Sequence, residues 1–163
     1  MKTSFLHQRT YTRSSGLKDT FGDFICKQCG SFVSAAALLA GVQNRNHCPY
    51  CLSSRHLDLF EAGDRLSACK GVMSAIALTW KRSSKKYARL HDGELMLVHC
   101  CQECGGLSIN RIAADDDSSA LLALLDTVLG LDPQLVTACD AHGIELLDVE
   151  DEGLVRRCLF GDG

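Results

Sequence analysis

The sequence predicts a small β-rich domain that carries an acidic, α-helical extension on its C-terminal side. Three observations predict it. Short apolar runs, several alternating with polar residues, fill the middle of the chain between turn residues. Ten cysteines, at positions 26, 29, 48, 51, 69, 100, 101, 104, 139 and 158, accompany an aromatic content of only 6 %, which is thin for a conventional core. Charge is split along the chain: residues 1–114 hold 15 Lys/Arg against 8 Asp/Glu, and residues 115–163 hold 2 against 12. At 163 residues and 46 % hydrophobic content there is room for one domain with an extension.

Residues 1–20 are polar, with four basic residues and no acidic one before Asp19, and read as a flexible basic arm. The domain is expected over 21–117. "GDFIC" reads as a short strand entering a turn, "SAAALLAG" (34–41) as a short helix or turn closed by Gly41, and "HLDLF" (56–60) as a strand. "VMSAIALTW" (72–80) reads as a strand with Val72, Ile76, Leu78 and Trp80 on one face. Asp92-Gly93 between two apolar runs predicts a hairpin turn joining strands at about 86–91 and 94–100. The extension, 118–163, begins where "DDDSSALLALLDTVLG" sets acidic and Ser residues before an apolar helical pattern that stops at Gly130. "DPQLVTACDAHG" repeats that design, with Asp132 as cap, Pro133 in the first turn and Gly143 as stop. "IELLDVE" suggests a strand and "DEGLVRRCLFG" a last short helix.

Cysteine spacing makes the domain zinc-ribbon-like. Cys26 and Cys29 form one C-x-x-C and Cys48 and Cys51 another, with 18 residues between the pairs. Each such turn aims two sulfurs at one centre, and four thiolates close a tetrahedral Zn²⁺ site. Cys101 and Cys104 form a third pair. Its preferred partners are Cys69 and His99, because residues 99 and 101 of a strand share a face. His47, His56 or Cys100 could take the place of His99. Two zinc ions are therefore expected. Cys139 and Cys158 stand alone on helical patterns and suit small buried apolar positions. C-x-x-C-G followed by C-P-x-C also resembles the knuckles of rubredoxin, which hold iron. Leu52, standing where the second rubredoxin knuckle has Gly, and the lack of a core aromatic cluster favour zinc.

"RNHCPYC" (45–51) resembles the motif that names the RNHCP domain family of bacterial proteins. "FICKQCG", "GDRLSACKGVMSAIAL" and "HCCQECGGLSINRIAADDD" resemble the family's opening, middle and closing segments. The likeness runs from about Phe21 to the helix after Asp117. It implies domain identity, cysteine pairing and bacterial origin, and no particular activity. Cys100 stands beside the expected pair as a local addition, and the region beyond about residue 130 lies outside the resemblance.

The remaining polar residues suggest a partner. Arg45, Asn110 and Arg111 flank knuckles, and Lys81, Arg82, Lys85 and Lys86 follow Trp80, so together they offer cations and stacking surface for RNA. The alternative for Arg45 and Arg111 is ion pairing with Asp115, Asp116 and Asp117, which also suit a helix N-terminus. The resulting expectation is a non-enzymatic zinc module contacting RNA or a ribonucleoprotein such as the ribosome. A zinc-stabilised protein adaptor is the alternative, with a rubredoxin-like iron protein or a zinc hydrolase behind it. No nucleophile elbow, phosphate loop or H-E-x-x-H is present. The N-terminus lacks the apolar run of a signal peptide and no stretch approaches the ~20 apolar residues of a membrane span, so a cytoplasmic location, where thiols stay reduced, is expected.

Overall fold

The computed structural model describes residues 22–61, 63–84 and 92–161. The expected arm, the strand at 86–91, and Lys85 and Lys86 lie outside the described residues. The fold has two parts. The first is a two-stranded antiparallel hairpin, β1 (Phe24–Ile25) and β2 (Phe32–Val33), followed by the short helix α1 (Ala37–Ala40). Gly41 ends α1 with φ 68°, the left-handed conformation that glycine adopts without a Cβ clash. The second part is a five-stranded antiparallel sheet in the order β3 (Ser54–Arg55), β4 (Val72–Arg82), β5 (Gly93–Cys101), β6 (Leu107–Arg111), with β7 (Leu146–Leu147) also paired to β4.

The long β4–β5 pair is the spine of the molecule. β4 does not keep one parity: the register shifts between Ala75 and Ala77, leaving Ile76 as the extra residue of a bulge. The expected single face is broken there, and Ala77, Leu78 and Thr79 are all buried because both faces are covered. Gly93 is also not the turn residue expected of Asp92-Gly93. It sits in β5 opposite Arg82, and a Cβ there would collide with the indole of Trp80. Nor is 56–60 a strand. The pairing strand is the dipeptide before it, and from Leu57 the loop folds around two carboxylates. Asp58 accepts from the backbone N–H of Gly63 and Arg65, and Asp64 from those of Leu59, Phe60, Glu61 and Leu66. Local side-chain acceptors thus take the donors that a sheet would need.

The C-terminal helices form as their caps require. Asp117 accepts from Ser119 and Ala120 at the start of α2 (Ser118–Thr127), and Asp132 from Gln134 at the start of α3 (Pro133–Ala141), with Pro133 in the first turn. A 3-10 turn, Val128–Gly130, ends α2, and α4 (Glu152–Phe160) closes the described chain. These elements are not an appendage. Leu121, Leu124 and Leu125 of α2, Leu147 of β7 and Val155 of α4 share one buried cluster with Leu52, Leu78, Leu95 and Leu97. The compositional break near residue 117 therefore does not divide the core. No single helix among the described residues is long and apolar enough to cross a membrane.

Candidate metal centres

All three C-x-x-C segments fold into the same knuckle. In each, the first cysteine's N–H donates to the carbonyl five residues on: Cys26 to Ser31 (2.8 Å), Cys48 to Ser53 (2.9 Å) and Cys101 to Gly106 (2.8 Å). Its own carbonyl accepts from the N–H of the residue after the second cysteine: Gly30, Leu52 and Gly105, each at 2.9 Å. That residue is left-handed in all three, with φ 76°, 59° and 70°. Leu52 therefore adopts the conformation that the rubredoxin comparison reserves for Gly, so its identity does not separate iron from zinc. The strain, about 1–2 kcal/mol, is offset because Leu52 is a member of the main buried cluster and its carbonyl accepts a 2.7 Å hydrogen bond from His99 Nε2.

The first donor set is Cys26, Cys29, Cys48 and Cys51, whose sulfurs all lie within 4.8 Å of one another. Cys26 to Cys51 and Cys29 to Cys48 are each 3.6 Å, too long for S–S bonds and suited to thiolates around one cation. Their environments differ. Burial pushes the Cys48 thiol up to about 12, whereas the Ser31 hydroxyl, with a backbone hydrogen bond from the same residue, brings exposed Cys29 down to about 6. Four thiolates crowded so closely, two of them on buried cysteines, need a positive ion among them to stay ionised, and the donor chemistry fits one.

The second set is His56, Cys69, Cys101 and Cys104, again within 4.8 Å of one another. Cys69 and Cys101 sulfurs are 3.6 Å apart, and His56 Nδ1 is 3.2 Å from Cys104 Sγ. Burial lowers the His56 pKa, which favours the neutral imidazole that a metal requires. Two glycines make room. A Cβ at Gly71 would lie 3.0 Å from Cys101 Sγ, and one at Gly106 would lie 2.9 Å from His56 Cε1 and 3.3 Å from Cys104 Sγ.

His99, the preferred fourth ligand from sequence, does not join this set. Its Nε2 is used on the Leu52 carbonyl and its Nδ1 accepts from Asn110 Nδ2 at 2.9 Å, so no ring lone pair is left over. Full burial holds its pKa down at about 4. The strand-parity argument could not see that the chain leaving the second knuckle brings His56 into the donor set in place of His99. His56 N–H is tied to the Gly71 carbonyl at 2.9 Å, beside the Cys69 turn. Cys100 is half-buried and faces away from the set, and Cys139 is fully buried against Ala77 and Val98. Cys158, expected to be buried, is exposed.

The residues in front of the second knuckle form a clamp. Arg45, its side chain 0 % exposed, donates to the His47 carbonyl (3.1 Å), to Asp115 (2.8 Å) and to Asp116 (3.3 Å). His47 Nε2 lies 2.9 Å from both oxygens of Asp116, which also accepts from the Ala113 N–H at 2.8 Å. The Asn46 carbonyl accepts from Ser54 Oγ, and the Asp117 N–H donates to the Pro49 carbonyl. The knuckle of the first donor set is thus bolted to the N-terminus of α2. The model of the RNHCP domain matches residues 21–122, more than half of the chain. The chain belongs to the RNHCP domain family. The comparison with curated proteins and the comparison with solved structures return no match.

Within this RNHCP chain the clamp takes Arg45 out of the expected RNA surface and into the ion pair that was its alternative. Arg45 is an internal ion-pair partner because Asp115 and Asp116 neutralise it out of water. Asn110 spends its amide on His99 and Ser108, and Arg111 pairs with Glu94 at 3.2 Å on the surface. Lys81 and Arg82 are exposed at the end of β4, with Arg82 3.9 Å from Glu145. Asp115, Asp116 and Asp117 serve the clamp and the α2 cap.

Proposed function

We propose that this protein is a zinc-stabilised, non-catalytic binding module of the cytoplasm. One observation carries the reading: each donor set already supplies four protein ligands, so a tetrahedral ion there keeps no position for water or substrate. The nearby Asp116 carboxylate is committed to Arg45 and His47 rather than aimed at a metal. A Cys₄ set accepts zinc or iron, while a Cys₃His set is a familiar zinc environment and favours Zn²⁺ in both. Thiols grouped as metal-ligand sets suit a reducing compartment.

The partner we infer is a protein. Ile25 and Phe32, cross-strand neighbours in the hairpin, are exposed, as are Leu38, Leu39, Tyr50 and Phe60. RNA contact is the second reading, and the exposed Lys81 and Arg82 beside Trp80 favour it. Crosslinking in cells followed by recovery of both RNA and protein separates the two. On the protein reading, Phe32→Ser abolishes partner recovery, and combined Ala substitution of Lys81, Arg82, Lys85 and Lys86 does little. Recovery of RNA that falls steeply with salt and is lost in the fourfold variant would reverse the assignment.

A further inference from the structure

We propose that the two centres load cooperatively and that His99 is the residue that couples them, an inference that rests on the metal-binding reading above. Only the segment from Leu52 to Arg55 separates Cys51, a ligand of the first set, from His56, a ligand of the second. None of it is slack. Leu52 and Ser53 complete the second knuckle through backbone hydrogen bonds with Cys48. Ser54 holds the Asn46 carbonyl through its hydroxyl at 3.1 Å and pairs with Met73 in the sheet. Arg55 pairs with Val72, and His56 N–H reaches the Gly71 carbonyl.

A second bridge crosses between the same two places from another part of the chain. His99 lies on β5 two residues before Cys101, a ligand of the second set. Its Nε2–H donates to the carbonyl of Leu52, the residue directly after Cys51. The amide of Asn110 on β6 fixes the ring through Nδ1. The ring is fully buried, so no water can substitute for either hydrogen bond. The same few atoms therefore set the position of the second knuckle for one ion and of His56 and Cys101 for the other. Whichever ion binds first orders this link, and the second ion meets ligands already placed. Such coupling is reciprocal, so each ion must raise the affinity for the other by one common factor.

The test is titration of the full-length, metal-stripped protein with Co²⁺. Its visible bands differ between a four-thiolate and a three-thiolate, one-imidazole site, so the two centres are read separately. Cys29→Ser disables the first set and Cys104→Ser the second; both cysteines are exposed, which limits damage to the core. In Cys104→Ser the first centre's Co²⁺ affinity should fall by at least about fivefold, and in Cys29→Ser the second centre's should fall by the same factor. Adding His99→Phe, which keeps bulk but removes the donor, should shrink both factors towards one while both bands still appear. His99→Gln, which keeps a donor, should preserve them. Should His99→Phe load neither centre, Asn110→Ala removes only the pin on the ring and should shrink the factors in the same way. Equal affinities with and without the other ligand set would overturn the coupling and leave the metal reading standing. Factors unchanged by His99→Phe would remove His99 as the coupler. Absence of any cobalt band would overturn both readings.

Discussion

The two donor sets are alike in geometry and unlike in what surrounds them. The first rests on a two-residue-wide hairpin whose buried cluster is Cys26, Val33 and Cys48, with Phe24 and Cys51 packed against it. Three of those five are its own ligands. The second sits at one end of the sheet, whose main buried cluster runs through Leu52, Leu78, Leu95, Leu97, α2, β7 and α4. The lesson is that a similar four-donor site carries different weights in one chain. Beside the hairpin a bound ion would stand in for a hydrophobic core; beside the sheet it would secure His56, Cys69 and the third knuckle on a frame that apolar burial already supports.

The largest contrast should come from removing one ligand on each side. Cys48→Ser should forfeit binding free energy on the order of 10 kcal/mol and unfold the hairpin. Cys104→Ser should leave most of the sheet in place. Amide exchange reads this directly: protection at 24–33 collapses in the first variant, and protection along β4 and β5 survives in the second. Equal losses along the whole chain in both variants would erase the distinction.

The clamp gives the next effect. Asp116→Ala strips Arg45 and His47 of the carboxylate they share in a site closed to water. Asp115 still pairs with Arg45, so the loss is the acceptor of three donors, Arg45, His47 and the Ala113 N–H, at about 1–3 kcal/mol each, measurable by denaturant unfolding. The loss should fall on the first region, since Arg45 and His47 enter its second knuckle. A smaller effect belongs to the second region alone. Gly106→Ala places a methyl 2.9 Å from His56 Cε1. It should cost about 1–3 kcal/mol and drop metal content towards one ion per chain while the Cys₄ set stays loaded. Smallest of all, Cys100→Ala should change stability by no more than about 0.5 kcal/mol and leave the metal content untouched, since its thiol faces away from both sets.

Much of this was legible in the sequence, for identifiable reasons. C-x-x-C spacing encodes a local turn, so the first donor set and the third knuckle follow from the residues themselves. Caps and stops at Asp117, Asp132, Gly41 and Gly143 are local too. What escaped the sequence is non-local. His56 was only one of several candidates because its place depends on β3 pairing with β4. Arg45 stood open between a phosphate contact and pairing with Asp115–Asp117, because Asp115 lies 70 residues away in sequence. The strand at 56–60 was a misreading of alternation that two aspartates divert into a loop. Leu52 weighed against the rubredoxin-like iron reading by residue type, yet tertiary burial and the His99 hydrogen bond hold it in the left-handed conformation that glycine takes in the other two knuckles.

The central claim is that seven cysteines and one histidine hold two ions in closed sites. Elemental analysis combined with X-ray absorption at the metal edge, on protein purified without added metal, tests it most directly. The account predicts about two zinc per chain, four-coordinate, with an average shell dominated by sulfur and a minor imidazole contribution that disappears in His56→Ala. One ion per chain, an all-sulfur shell, or an imidazole signal that survives His56→Ala and vanishes in His99→Ala would contradict it.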